Sequence, residues 1–463
     1  MLQGQTTKRD PLPRFRSDRR IPSEPRWSRQ TEVVRIAIVL ASTATEGGSF
    51  TYEQAVLKAV LRHSITRQFV VYAPRVLHQQ VKVVDPTIEL RTTRHGFREK
   101  IGAFLRSSAA GLNLLTIFRL RNSRFERDLN RDGIGLVYFL SPNISALTVR
   151  SIPIITTVWD LGHLDLPYYP EIAGGKYFAE REYYFQDTFR RSTLIVTDSD
   201  VLAQQISTFY GTPSKRIILI PFTEIIDEID LSIEWHMPSN ESTDRVILYP
   251  AQFWPHKRHI LLVRAFAKVL DQEQNVRLVL VGGNKGNRTH VESEIKQLGI
   301  TDSVEILDFL PREDLVQMIA QSCLVVYPSE LGPTNLPPLE AERLGTPTVV
   351  SASSSVGLPE SKIRTVVEHQ SPDSWATAIR SGLQNASAVS APIEGMNSIQ
   401  ATSFSPSDEH QKERYSGIQN LFVHIDHLKT HFDEWDRRMF RRDDSRAHLE
   451  SKGDRWKVKR LPT

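Results

Sequence analysis

Lys257 and Arg258 stand in YPAQFWPHKRHILLVRAF (Tyr249–Phe266), where a short apolar run ends and an apolar helix-like run begins. Cations at a helix start work against the helix dipole, so the placement makes sense when an anion is held there. A diphosphate would suit the lysine as a point charge. The adjacent His256 and His259 have no Cys or acidic companion at ligand spacing, so the stretch predicts no metal site. A second stretch, SELGPTNLPPLEAERLG (residues 329–345), puts three prolines and two glycines between the β-branched runs Leu324–Tyr327 and Thr346–Val350. Pro337 or Pro338 supplies the fixed φ of a first helical turn, Leu339–Leu344 reads as a short helix, and Gly345 reads as its stop. On that reading Glu340 lies in the first turn, where a carboxylate is favoured and can accept hydrogen bonds from ligand hydroxyls. The free N–H groups of the same turn suit a phosphate. A plain cap is the alternative role for Glu340.

In the first half, Asp160 and His163 of WDLGH follow the apolar run Ile152–Val158, at a strand end expected to face a cleft. A capping Asp and a surface His are the alternative. Gly47 and Gly48 follow the first apolar run and either let backbone approach a ligand or form an ordinary turn.

The elements that must hold these residues follow a rhythm. Apolar runs at Val33–Ala41, Phe69–Ala73, Ile134–Leu140, Ile152–Val158, Leu194–Thr197 and Ile217–Ile220 read as buried strands, with helix-like stretches such as Glu53–His63 and Val201–Tyr210 between some of them. A polar, acidic interval, Thr223–Asp244, breaks the pattern and reads as a domain junction. A second set follows at Val246–Tyr249, Val276–Val281, Val304–Leu307, Leu324–Tyr327, Thr348–Val350 and Arg364–Val367. Alternation of this kind predicts parallel sheets covered by helices on both faces. The expected division is a disordered basic segment over residues 1–30, one Rossmann-like domain over 31–235, a second over 245–385, and a linker, helices and basic tail over 386–463. Two doubly wound domains in sequence leave a cleft where their strand ends face each other.

Composition narrows the classes. The chain has 463 residues, 40% hydrophobic and 24% charged, with a formal charge of +4, which permits phosphate ligands or anionic surfaces without demanding nucleic acid. A single cysteine, Cys323, excludes an intrachain disulfide and fits a reducing compartment; it heads an apolar run and reads as core. No apolar stretch reaches the roughly 18 residues of a membrane span, and the basic N-terminus lacks the apolar core of a signal peptide. A cytoplasmic location, with peripheral contact at the inner face of the membrane, is the resulting expectation. The Arg-rich stretch Arg94–Arg131, interspersed with Phe, Leu and Ile, suggests a basic helix on anionic lipid, or one packed on the sheet. His431–Arg446 has Phe432, Trp435 and Met439 at helical spacing and could return to the first domain or meet a partner.

The motifs PAQFWPHK, LVLVGG, VEILDFLPREDLVQMIAQSCLVVYPSELGPTNLPPLEAERLGTPTVVSAS and SPDSWATAI, in that order over roughly residues 245 to 380, resemble the nucleotide-binding domain of GT-B glycosyltransferases, specifically the retaining family 4. EGGSFTYEQAVL, ITTVWDLGHLDLPYYPE and LIVTDSDVLAQQISTFYGTPSKRIILIP extend the resemblance, less specifically, to about residue 33. The resemblance implies an α/β GT-B fold with a helical C-terminal extension. It further implies metal-independent transfer of a sugar, with retention, from a nucleotide-diphosphate sugar to a glycan or lipid-linked acceptor in polysaccharide synthesis. Mannose is suggested by the GPTN form. Glu340 matches the glutamate that binds the donor ribose, and Lys257 matches the lysine that binds the diphosphate. Asp160 and His163 are implied in catalysis with Lys257; Gly47, Gly48, Gln252, Arg258, Thr334, Asn335 and Leu336 join the donor site. Three positions depart from the pattern: Gly332 replaces the first glutamate of E-x7-E, Gln252 replaces a phosphate-binding arginine, and Trp159 replaces a histidine before Asp160. Thr334 and Asn335 are then the implied sugar contacts. A degenerate scaffold that binds a sugar nucleotide or a partner is the non-enzymatic alternative, and a nucleotide-sugar epimerase or phosphorylase is the other enzymatic one.

Overall fold

The computed structural model describes residues 34–43, 47–62, 68–93, 123–222, 226, 245–331, 335–389 and 417–426. Two parallel sheets organise them. The first contains β1 (Arg35–Val39), β2 (Gln68–Ala73), β3 (Glu89–Thr92), β4 (Leu136–Phe139), β5 (Ile154–Thr157), β6 (Ser192–Thr197) and β7 (Ile217–Leu219). Its order is β3-β2-β1-β4-β5-β6-β7, so the chain reverses direction across the sheet at β1 and β4. The second contains β8 (Arg245–Pro250), β9 (Val276–Val281), β10 (Val304–Leu307), β11 (Leu324–Tyr327), β12 (Thr348–Ser351) and β13 (Arg364–Val367), in the order β10-β9-β8-β11-β12-β13.

The strands are apolar along their length because both faces are covered: β4, β5, β6 and β11 are buried at every position. In the first domain the covering helices are α1 (Gly48–Arg62), α2 (His78–Val84), α3 (Arg124–Arg131), α4 (Gly162–Asp165), α5 (Pro170–Ala173), α6 (Tyr177–Arg191) and α7 (Asp200–Tyr210). Those of the second are α8 (His259–Leu270), α9 (Arg288–Gln297), α10 (Arg312–Gln321), α11 (Leu336–Arg343), α12 (Ala352–Ser355) and α13 (Pro372–Val389). A further helix, α14, runs over residues 417–426. Its Ile418, Leu421, Phe422 and Ile425 belong to the same buried cluster as Ile36, Val71 and Leu77, so over these residues the chain returns to the first domain. The return expected of His431–Arg446 falls outside the described residues, as do most of the junction Thr223–Asp244 and residues 94–122 of the basic stretch. The described end of that stretch, α3, packs Phe125 and Leu129 into the core beneath the sheet. No helix among the described residues is long and apolar enough to cross a membrane.

Candidate functional site

Lys257 is carried by a 3-10 turn, Pro255–Lys257, between β8 and α8. Pro255 starts the turn with its fixed φ, and the hydroxyl of buried Tyr249 donates to the Lys257 carbonyl at 2.6 Å, tying the turn to its own strand. Its ammonium donates to Tyr327 Oη (3.2 Å), Ser329 Oγ (3.1 Å) and Asn335 Oδ1 (3.3 Å), and lies 5.1 Å from the Tyr327 ring centroid. All three acceptors are neutral, and no carboxylate among the described residues pairs with this cation. Burial pulls its pKa down to about 8, and the Asp160 carboxylate across the cleft opposes that fall. A half-buried lysine held by neutral oxygens keeps its charge available for an incoming anion.

Arg258, at the N-cap of α8, adopts a left-handed backbone with φ 55°. Such a conformation costs a non-glycine residue about 1 kcal/mol or more, so neighbours must impose it. The Glu330 carboxylate pairs with its guanidinium, and the Glu330 N–H donates to the His256 carbonyl at 3.0 Å. Gly282 has a different task. A Cβ there would come within 2.2 Å of the Ala251 carbonyl, so only glycine lets the ends of β8 and β9 close together below the turn. Gln252 is half-buried and accepts from Trp254 Nε1 at 3.2 Å.

The helix bearing Glu340 begins earlier than expected. Asn335 is its N-cap, Leu336 its first residue, and Glu340 stands in the second turn. Pro337 and Pro338 occupy the first turn, where a missing N–H breaks no helical bond. They also remove two of the first-turn donors expected to meet a phosphate. Glu340 is buried, and Arg312 at the start of α10 forms an ion pair with it, Nη1 to Oε1 at 2.9 Å. Arg312 Nη2 is buried with no partner, so a donor atom lies beside this carboxylate. Leu336 and Leu339 are buried in the cluster that also holds Tyr52 and Ile418, so α11 packs against the first domain. The helix ends at Gly345, φ 80°, where Thr346 N–H reaches back to the Ala341 carbonyl at 2.8 Å. Thr334 and Gly332 lie outside the described residues.

Opposite, the end of β5 presents Asp160. Its Oδ1 accepts from the Gly162 N–H at 2.7 Å and pairs with Arg181 of α6, while the side chain stays 23% exposed and open to the cleft. His163 is placed otherwise than expected. It is fully buried, one layer behind the cleft, with its ring stacked on Phe185. Arg181 Nε donates to Nδ1 (3.3 Å), which leaves Nε2–H to donate to Glu182 (2.9 Å). Burial lowers its pKa. The reading of His163 as a group touching substrate is therefore corrected to one that braces Arg181, and through it Asp160. Trp159 meets Tyr52 edge to face at 5.6 Å, filling the space above the core. Gly47 (φ 64°) and Gly48 open α1 with free space around them, and Glu53 of that helix accepts from Ala41 N–H (3.1 Å) and Ser42 N–H (3.0 Å), fixing the start of the same loop. Burial raises the Glu53 pKa to about 7.

The structure thus gathers Lys257, Asn335, Asp160 and Arg258 at the meeting of the two sheets' carboxyl edges. Tyr168, Tyr169, Glu171, Arg181, Arg312, Tyr327, Ser329 and Glu330 were missed by the sequence reading. A cavity of about 440 Å³ on the back of the second domain is not part of this arrangement. Its Arg264 and Glu294 pair with each other at 2.7 Å, and its Lys268 pairs with Asp373 at 2.8 Å.

Residues 233–395 match the family model described as Glycosyl transferases group 1, so the second domain is a domain of that family. An uncharacterised glycosyltransferase of Methanocaldococcus jannaschii is 27% identical over 40% of this chain and 47% of its own. The match to the D-inositol 3-phosphate glycosyltransferase of Mycobacteroides abscessus, 29% identical, covers 40% of this chain and 43% of that one; the chain therefore spans about half the length of these relatives. A longer match, 26% identical over 61% of this chain and 72% of the relative, is to the O-antigen chain mannosyltransferase B of Escherichia coli. Among solved structures, HepE of Anabaena in complex with UDP-glucose superposes with a TM-score of 0.56 at 16% identity, covering 77% of this chain and 94% of that one. Sucrose-phosphate synthase of Thermosynechococcus elongatus gives 0.55 at 16% identity, covering 88% and 99%. The fold is accordingly α/β, of the two-domain GT-B type.

Proposed function

We propose that this protein is a retaining, metal-independent glycosyltransferase of family 4. It moves a sugar from a nucleotide-diphosphate donor, held by the second domain, to a glycan or lipid-linked acceptor on the first. The observation that carries this reading is the Lys257 ammonium, seated on three neutral oxygens at the cleft with no carboxylate among the described residues bonded to it. When the bond from the anomeric carbon to the diphosphate breaks, negative charge grows on the departing oxygen. A preorganised cation in a half-buried site lowers the energy of that state more than it would in water. Asn335 holds Nζ in place through Oδ1. Glu340 accepts the ribose hydroxyls, beside the Arg312 guanidinium already paired with it. Asp160, fixed by Arg181 and the Gly162 N–H, offers its remaining lone pairs to a hydroxyl of the acceptor or of the transferred sugar. Gly47, Gly48, Gln252, Arg258, Thr334 and Leu336 complete the donor side. The relative named as a mannosyltransferase favours mannose as the sugar, and the Arg-rich stretch favours work at an anionic inner membrane surface.

The test uses purified full-length protein with UDP-glucose, UDP-galactose, UDP-N-acetylglucosamine and GDP-mannose. Thermal stabilisation and slow donor hydrolysis are read with and without EDTA. One donor is expected to stabilise the protein by about 2.7 kcal/mol at a hundred times its Kd, with EDTA making no difference. Absence of binding and hydrolysis across the panel would remove the enzyme reading.

A further inference from the structure

The turn that carries Lys257 is gripped from the opposite domain. Glu171, in the four-residue helix α5, sends one carboxylate oxygen, Oε1, to both the backbone N–H and Nδ1 of His256, each at 3.0 Å. His256 directly precedes Lys257, and burial together with the Lys257 charge keeps its imidazole neutral, so Nδ1–H is a donor. Two residues before Glu171, the Tyr169 hydroxyl donates to Glu330 at 2.8 Å, and the Tyr168 hydroxyl does so at 3.2 Å. Glu330 is the carboxylate that holds Arg258 in its left-handed backbone. One loop of the first domain, Tyr168–Glu171, therefore reaches both flanks of Lys257.

The Glu171 carboxylate is only 10% exposed, and its Oε2 is buried with no partner among the described groups. Burying a carboxylate with one oxygen unmatched opposes stability. Gly174 caps α5, and a Cβ there would lie 2.5 Å from the Pro170 carbonyl, so the short helix can close only on glycine.

We infer that Glu171 is a positioning residue. It fixes the Lys257 turn from across the cleft, so that the cation takes its working place only while the two domains are together. The inference rests on the reading of Lys257 as the diphosphate cation. Donor nucleotide can then settle on the second domain without Glu171, whereas transfer cannot proceed at full rate.

Glu171→Ala and Glu171→Gln in the full-length chain test this, with Lys257 left intact. Hydrogen exchange of the peptide spanning residues 254–262 is expected to speed at least fivefold in Glu171→Ala, and turnover at saturating donor to fall at least tenfold. Affinity for UDP or GDP, whichever the wild type binds, is expected to change less than threefold. Glu171→Gln keeps an acceptor oxygen and is expected to recover most of both losses. Unchanged exchange in the Ala variant overturns the grip. So does a variant that melts lower yet turns over donor normally, or one that loses nucleotide affinity and turnover in equal proportion. Should Glu171→Ala fail to fold, the same comparison is made with Glu171→Leu, which fills the space without offering an acceptor, and wild-type exchange and turnover in the Leu variant overturn it. A wild type that exchanges as expected but turns over no donor refutes the enzyme reading instead, since exchange reports the grip without any reaction.

Discussion

Replacing Lys257 with methionine keeps the length of the side chain and removes its charge. In the ligand-free fold that charge is a burden. The shift from 10.5 to about 8 corresponds to about 3 kcal/mol of disfavour for the charged form. Against this gain, the variant strips a donor from Tyr327 and Asn335, at about 1 kcal/mol each, while Ser329 keeps its bond to the Leu331 carbonyl at 2.9 Å. The balance is about 1 kcal/mol in favour of Lys257→Met, which should raise Tm by a few degrees. The sign with pH is definite. A lysine whose folded pKa is lowered destabilises fully below that pKa and not at all above its unfolded one. Wild-type stability should therefore gain between about pH 8 and pH 10.5, and Lys257→Met should lack that gain. Turnover at saturating donor should fall roughly a hundredfold, because the lost interaction grows in the transition state and Arg258, committed to Glu330, cannot replace it. Calorimetry from pH 7 to 10.5 and donor turnover read the two effects. A variant that melts well below wild type while transferring normally would refute the reasoning, since Lys257 would then be a structural bond.

Three further outcomes follow from the same geometry. The wild-type kcat/KM should decline above about pH 8 as free Lys257 loses its proton, whereas kcat holds to higher pH because bound diphosphate raises that pKa; stopped assays across pH 6.5 to 10 show whether the limbs separate. Glu340→Gln should fold normally yet bind the preferred nucleoside diphosphate about tenfold more weakly by titration calorimetry, and equal affinity would reduce Glu340 to a partner for Arg312. Ending the chain at residue 416 removes four side chains from the first domain's core, each worth about 1.5–3 kcal/mol when buried, so Tm should drop by more than roughly 5 °C; an unchanged melt would mean α14 is dispensable.

Strands were legible where burial on both faces made them apolar, and the expected runs fall on β1, β2 and β4 to β13. β3, with sequence ELRT, was missed because it is an edge strand whose residues are half-buried or exposed and carry charge. The start of α11 was misjudged because proline is tolerated through the whole first turn, so the prolines marked the helix without marking its first residue. Lys257 and Glu340 could be found because each sits beside its own strand's end in a motif. His163 could not be placed from its spacing: whether it faces the cleft or the core depends on Glu182 and Tyr210 from other helices, at 2.9 and 3.3 Å. The partners across the cleft were invisible for a related reason. Glu171 and His256 are 85 residues apart, and Tyr169 and Glu330 are 161 apart, so no local pattern pairs them.

The position of α14 bears on how the cleft can open. The polypeptide crosses from the first domain to the second between residues 222 and 245, and crosses back between 389 and 417. A pair of bodies joined by one tether can swing, tilt and twist independently. Joined by two, they keep a second attachment that a single tether lacks, so separating the cleft faces beyond the reach of the second crossing would have to draw Leu421 and Phe422 out of the first domain's core.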